Sequence, residues 1–135
     1  MRTAWLALAG GLGAALVVAA CTPQARVAGA AADYAENCVA CHGPEGRGNG
    51  PAAVGMMPPP PDLTLLSRQN EGVFPKARVM GQLIGNTMGR SEAHMPIFEE
   101  LRDGPVVMFD DGSGNPVATP ARVVALADYL QSLQR

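Results

Sequence analysis

Residues Asn37 to Gly43 read NCVACHG. Within them Cys38, Cys41 and His42 gather two of the chain's three cysteines and one of its two histidines. Thiolate and imidazole are metal ligands, and paired thiols are also redox groups. Three chemistries therefore compete for this cluster: a zinc centre, a dithiol–disulfide couple and covalent attachment of a haem.

Zinc takes four protein ligands in a structural site and three in a catalytic one. Cys41 and His42 are chain neighbours, a spacing that suits a shared tetrahedral centre poorly. No second Cys/His pair is available to complete the set. A thioredoxin-like dithiol expects C-x-x-C after a strand and at the start of a helix. Here the motif ends a helical stretch, and no strand–helix alternation is present. C-x-x-C-H is the attachment signature of c-type haem. Two thiols three residues apart can form thioethers with the two vinyl groups on one edge of the ring, and the next residue hangs its imidazole over one face of the iron.

The elements that must hold this cluster follow from the pattern around it. Ala30 to Cys41 lacks Gly and Pro and is rich in Ala, so it predicts a helix that Gly43-Pro44 stops. Gly43 to Pro61 is almost entirely Gly, Pro and small residues, which predicts loop, with Pro58 to Pro61 in extended polyproline geometry. Phe74-Pro75 opens a second helix carrying Val79, Met80, Leu83 and Ile84, closed by Gly85-Asn86. Pro96 to Leu101 predicts a short helix, and Pro105 to Ala118 a loop or small hairpin. Thr119-Pro120 reads as an N-cap and first-turn pair. It leads a last amphipathic helix with Val123, Leu126, Leu130 and Leu133 on one face.

At 135 residues the chain holds one domain. A formal net charge of −2 with no Lys/Arg block excludes nucleic acid as the expected partner. Aromatics make up only 4% of the chain, so the core must be built from small aliphatic side chains or around a large apolar group such as a haem.

The first residues, MRTAWLALAGGLGAALVVAACTPQ, place one Arg before an apolar run from Ala4 to Ala20. This is the pattern of an export signal, and the run falls just short of the roughly 20 residues a membrane-spanning helix needs. Val18-Ala19-Ala20-Cys21 resembles a bacterial lipobox, in which the cysteine is lipidated and becomes the first mature residue. An uncleaved anchor and ordinary secretion, with Ala28-Gly29-Ala30 as an A-x-A cleavage site, are the alternatives. The expected organisation is an export signal over 1–20, a linker over 21–29 and a monohaem domain over 30–135.

Taken together, Tyr34 before CVACHG, the glycine loop after it, Pro61-Asp62-Leu63, Phe74-Pro75, Met95-Pro96 and the closing ALADYLQSLQ resemble a class I cytochrome c of the small bacterial periplasmic monohaem kind. The resemblance runs from about Gly29 to Arg135. It implies an all-α fold wrapped around one covalent haem c, with the first and last helices crossing at Tyr34, Leu126, Tyr129 and Leu130. It also implies His on one side of the iron and Met on the other, and a proline-loop carbonyl that orients His42. Pro58 to Pro61 are the candidates for that carbonyl.

The sixth ligand is sought among Met56, Met57, Met80, Met88, Met95 and Met108. Met80 and Met108 read as core, and Met56 and Met57 precede the proline run. Met95 is followed by Pro96, which stiffens the local chain, and it matches the Met-Pro of the resemblance. A thioether is neutral and soft and favours reduced iron. His94, beside Met95, is the rival ligand, with Met88 behind both. Arg47, Arg68, Arg78 and Arg90 are candidates to meet the haem propionates.

These readings point to an electron-transfer protein rather than an enzyme, and to a monomer. Its partners would be redox proteins, either membrane respiratory complexes or periplasmic dehydrogenases, and a lipid on Cys21 would hold it at the periplasmic side of a bacterial membrane. The alternatives are a haem subunit docked on a larger oxidoreductase, a gas sensor and a peroxidase-type enzyme. The single C-x-x-C-H counts against the last.

Overall fold

The structure, a computed structural model, describes residues 23–85 and 95–135, with side chains from Gly29 onward. The export signal, Cys21, Trp5, Met88, Arg90 and His94 lie outside the described residues. Four helices are present among them: α1 (Pro23–Asn37), α2 (Val39–His42), α3 (Lys76–Leu83) and α4 (Ala121–Ser132). One antiparallel hairpin joins β1 (Val106–Phe109) to β2 (Val117–Pro120), with Val106 opposite Pro120 and Phe109 opposite Val117. No helix among the described residues is long and apolar enough to cross a membrane.

The first helix begins at Pro23, where the sequence predicts linker. A proline suits a first helical position, and the alanines that follow carry the helix on. Ala30, Tyr34 and Cys38 recur at steps of four and are all buried. The ladder continues across the α1–α2 join, since Cys38 N–H donates to Tyr34 O at 2.9 Å and His42 N–H to Cys38 O at 2.8 Å.

α4 is the centre of the fold. Val123, Leu126 and Ala127 are fully buried and Leu130 nearly so. They form one core with Tyr34 and Cys38 of α1, Val79, Met80 and Leu83 of α3, and Leu101 of a 3-10 turn over Glu99–Arg102. Tyr34 and Tyr129 meet with ring centroids 5.4 Å apart at 50°, so the implied packing of first and last helices is observed. Arg122 reinforces it. Its Nη2 and Nε pair with both oxygens of Asp33 at 2.5 and 3.2 Å, and its Nη1 donates to Glu100 O at 2.6 Å. Lys76 pairs with Asp128 and lies over the Phe109 ring, tying α3 to α4 and the hairpin.

Two sequence expectations are corrected here. Thr119 does not cap α4. Strand pairing claims Thr119 and Pro120, and the Thr119 hydroxyl donates to Val117 O at 3.1 Å. Met108 is not core: it is 66% exposed, because strand alternation in a two-stranded sheet turns every second side chain outward.

Candidate haem-attachment site

Cys38, Cys41 and His42 are carried on the single turn that ends the α1–α2 stretch. Gly43, at φ +74°, breaks the helix in a conformation that costs a side-chain residue energy. Its carbonyl accepts from the buried Tyr34 hydroxyl at 2.7 Å. The glycine loop then folds back under the turn, with Gly48 N–H donating to His42 O at 2.8 Å and Gly50 N–H to Cys41 O at 3.0 Å. These bonds satisfy carbonyls that a helix end otherwise leaves open.

His42 is buried, and its Nδ1 donates to the Pro61 carbonyl oxygen at 3.3 Å. Of the four candidate prolines, Pro61 is the one that meets the ring. Gly48 makes this possible: a Cβ there would overlap the Pro60 carbonyl oxygen, so only glycine lets the proline segment approach so closely. Leu63 N–H donates to Gly46 O at 2.7 Å and locks the two loops together. Burial lowers the His42 pKa, and the bond to Pro61 opposes this only in part, so the site favours the neutral imidazole. Nε2 makes no hydrogen bond among the described residues and is not sealed from solvent, which leaves it free to be the donor atom for a metal.

The two thiols differ. Cys38 is buried and Cys41 is partly exposed, and they are not joined as a disulfide. Burial, helped by the nearby Asp33 and Cys41, pushes the Cys38 thiol up to about 11. A redox dithiol relies on a lowered thiol pKa, so this environment opposes that reading. Among the described residues no three His, Cys, Asp or Glu side chains converge where a metal ion could sit, which opposes a zinc centre built from Cys38, Cys41 and His42. A turn with two free thiols, a fixed imidazole with one open nitrogen and an adjoining apolar core fits a covalently tethered haem.

Met95 follows the segment over 86–94. It is half-buried and packs against the core cluster that contains Cys38. Its Sδ accepts from Gln82 Nε2 of α3 at 3.9 Å. Met80 is buried as expected, Met56 is half-buried and Met57 is 80% exposed. Arg47 pairs with Glu45 at 3.0 Å. Arg68 lines a shallow surface cavity with Glu71, Gln134 and Arg135.

Sequence reasoning passed over Gln134 and Arg135, which bond to the segment carrying Pro61. The only local signal there is Asp62-x-Thr64, whose carboxylate accepts from the Thr64 N–H at 2.9 Å. Nothing in the chain order connects it to residues seventy positions away.

Comparison with family models matches residues 27–134 to the one described as Cytochrome c. No curated protein and no solved structure matches.

Proposed function

Because the chain belongs to the cytochrome c family, and so binds one covalently attached haem c for electron transfer, we propose that it is a one-electron carrier with His42 and Met95 as axial ligands. When bound, the haem supplies an Fe(III)/Fe(II) couple. Cys38 and Cys41 are its tethers: each thiol adds across a vinyl C=C, sulfur to one carbon and hydrogen to the other. His42 donates through Nε2 while Pro61 holds Nδ1. Met95 supplies a neutral sulfur, and Gln82 steadies that sulfur from α3. Filled axial positions leave no open coordination site for substrate, which suits an electron carrier rather than an enzyme.

The observation that carries this reading is the buried His42 with Nδ1 engaged and Nε2 available, on the same turn as both thiols. The optical spectrum of the purified protein tests it, oxidised and reduced, with and without CO. A low-spin haem c spectrum with a Met–iron charge-transfer band, unmoved by CO, is expected. Rapid CO binding by the reduced protein would sink the Met95 assignment and favour a sensor.

The export pattern and the lipobox-like VAAC support a periplasmic protein held on a bacterial membrane through a lipid on Cys21. There it would exchange electrons with membrane respiratory complexes or periplasmic dehydrogenases through small, short-lived contacts. A second reading, a haem subunit docked on a larger oxidoreductase, has one observation in its favour. Val106, Met108 and Val117 of the hairpin are 58%, 66% and 63% exposed. Co-elution with a large dehydrogenase from native membranes would decide for the subunit.

A further inference from the structure

Pro61 reaches His42 from a segment with almost no regular structure, so other groups must hold its carbonyl in place. The segment after it begins with Asp62, which starts a 3-10 turn over Leu63–Leu65. Asp62 Oδ1 accepts from the backbone N–H of Thr64 and from its hydroxyl at 2.6 Å. Thr64 is buried.

Two residues from beyond the end of α4 converge on this turn. The Gln134 side chain uses both ends of its amide: Oε1 accepts from Ser67 N–H at 2.8 Å, and Nε2 donates to Leu63 O at 2.8 Å. The same Nε2 donates to Leu130 O at 2.8 Å, which anchors it to α4. Arg135 donates from Nε to Thr64 Oγ1 at 2.8 Å, from Nη2 to Asp62 Oδ2 at 3.1 Å, and from its backbone N–H to Thr64 O at 3.1 Å. Hydrogen bonds from Thr64 and Arg135 hold the Asp62 carboxyl below the usual carboxylate range, so it stays charged and the clamp stays closed at neutral pH.

We infer that Gln134 and Arg135 are positioning residues for the haem iron: by fixing the Asp62–Ser67 turn they fix the Pro61 carbonyl against Nδ1 of His42, and so tune what Nε2 offers the metal. The inference rests on the reading of His42 as an iron ligand. A firm Nδ1–H···O=C bond raises the basicity of the imidazole and favours the ferric state. Cutting the clamp slackens that bond, so the reduction potential rises.

The test uses full holoprotein carrying Arg135→Ala, Gln134→Ala or both, read by reduction potential and by exchange of the His42 Nδ1 proton in NMR spectra. The double variant is expected to raise the equilibrium constant for reduction about threefold, ~30 mV at 59 mV per tenfold for one electron. The shift is modest because Gln134 and Arg135 act through Pro61, whereas losing a direct outer-shell partner typically costs about 10–100-fold in metal affinity or activity. Nδ1–H exchange should quicken, and Arg135→Lys, which keeps the pairing to Asp62, should recover part of both changes. Arg122→Ala is the control, because it cuts the bonds from α4 to Asp33 and Glu100 and touches nothing in 61–67. It should lower thermal stability and leave the potential alone.

If the double variant loses stability as Arg122→Ala does, with potential and exchange unchanged, Gln134 and Arg135 merely brace the fold and the inference is wrong. Should the double variant not accumulate, the single Arg135→Ala protein decides the matter by the same readouts, since that side chain is 56% exposed. A failure of the underlying reading looks different: His42→Gly would then keep the low-spin spectrum of the parent.

Discussion

The Tyr34 hydroxyl donates to the carbonyl oxygen of Gly43 across the whole turn of the Cys38–His42 motif, at 2.7 Å and buried from water. One residue thus joins the core face of α1 to the glycine that ends α2. Tyr34 also stacks obliquely on Tyr129 of α4, so the turn that carries Cys38, Cys41 and His42 is referenced directly to the helix at the centre of the core.

Tyr34→Phe should therefore cost about 0.5–1.5 kcal/mol of stability by denaturant titration, the usual worth of one hydrogen bond. The low side of that range is expected, because Gly43 O keeps a second donor in Gly46 N–H at 3.1 Å. The haem should still attach, since the ring's packing is unchanged.

The same phenol sets an alkaline limit. Burial, with smaller contributions from Cys38 and Tyr129, pushes its pKa from 10.0 up to about 12. The fold therefore favours the protonated phenol. Its contribution is complete below pH 10, shrinks as pH rises and is gone above about 12. A stability profile should fall across that window in the parent and fall less in Tyr34→Phe. An equal fall in both proteins would assign the loss to another group.

Met95→Ala should abolish the Met–iron charge-transfer band of the oxidised protein and raise CO affinity of the reduced one. Survival of the band would move the ligand to another methionine, with Met88 next in line, whereas absence of the band in the parent protein would point to His94.

Leu126 sits fully buried where α4 meets α1 and α3. Leu126→Ala should cost about 2–5 kcal/mol in chemical denaturation, the sum of lost burial and a residual cavity.

Cleavage before Cys21 would remove Trp5, the sole tryptophan. Protein purified from membranes should show no tryptophan fluorescence, and its N-terminal peptide should carry the mass of a lipidated cysteine. Intact Trp5 emission would retain the export segment as an anchor.

The candidate attachment cluster could be read from the chain because its geometric demands are local. Two thioethers and one axial nitrogen would have to lie within a turn of helix, and that is the spacing of Cys38, Cys41 and His42. Helix periodicity is local too, and α3 and α4 fall where their apolar steps put them. Local pattern failed where a neighbouring element outbid it. Thr119 offers a good cap by type, yet the hairpin ladder takes its backbone. Met80 and Met108 both have apolar neighbours, yet only Met80 faces other elements across a buried helix face.

By itself, then, the sequence determined the kind of group this protein holds and singled out the turn proposed to hold it. The tertiary structure decided how that turn is supported. Pro61 was one of four equivalent prolines until the close approach of Gly48 and the bond between Gly46 and Leu63 brought its carbonyl to His42. Gln134 and Arg135 carry no local signal of a role; packing of α4 brings Gln134 to Leu63 and Ser67 and Arg135 to Asp62 and Thr64. Such contacts join groups far apart along the chain and depend on distances of about 3 Å, which only a packed core can set.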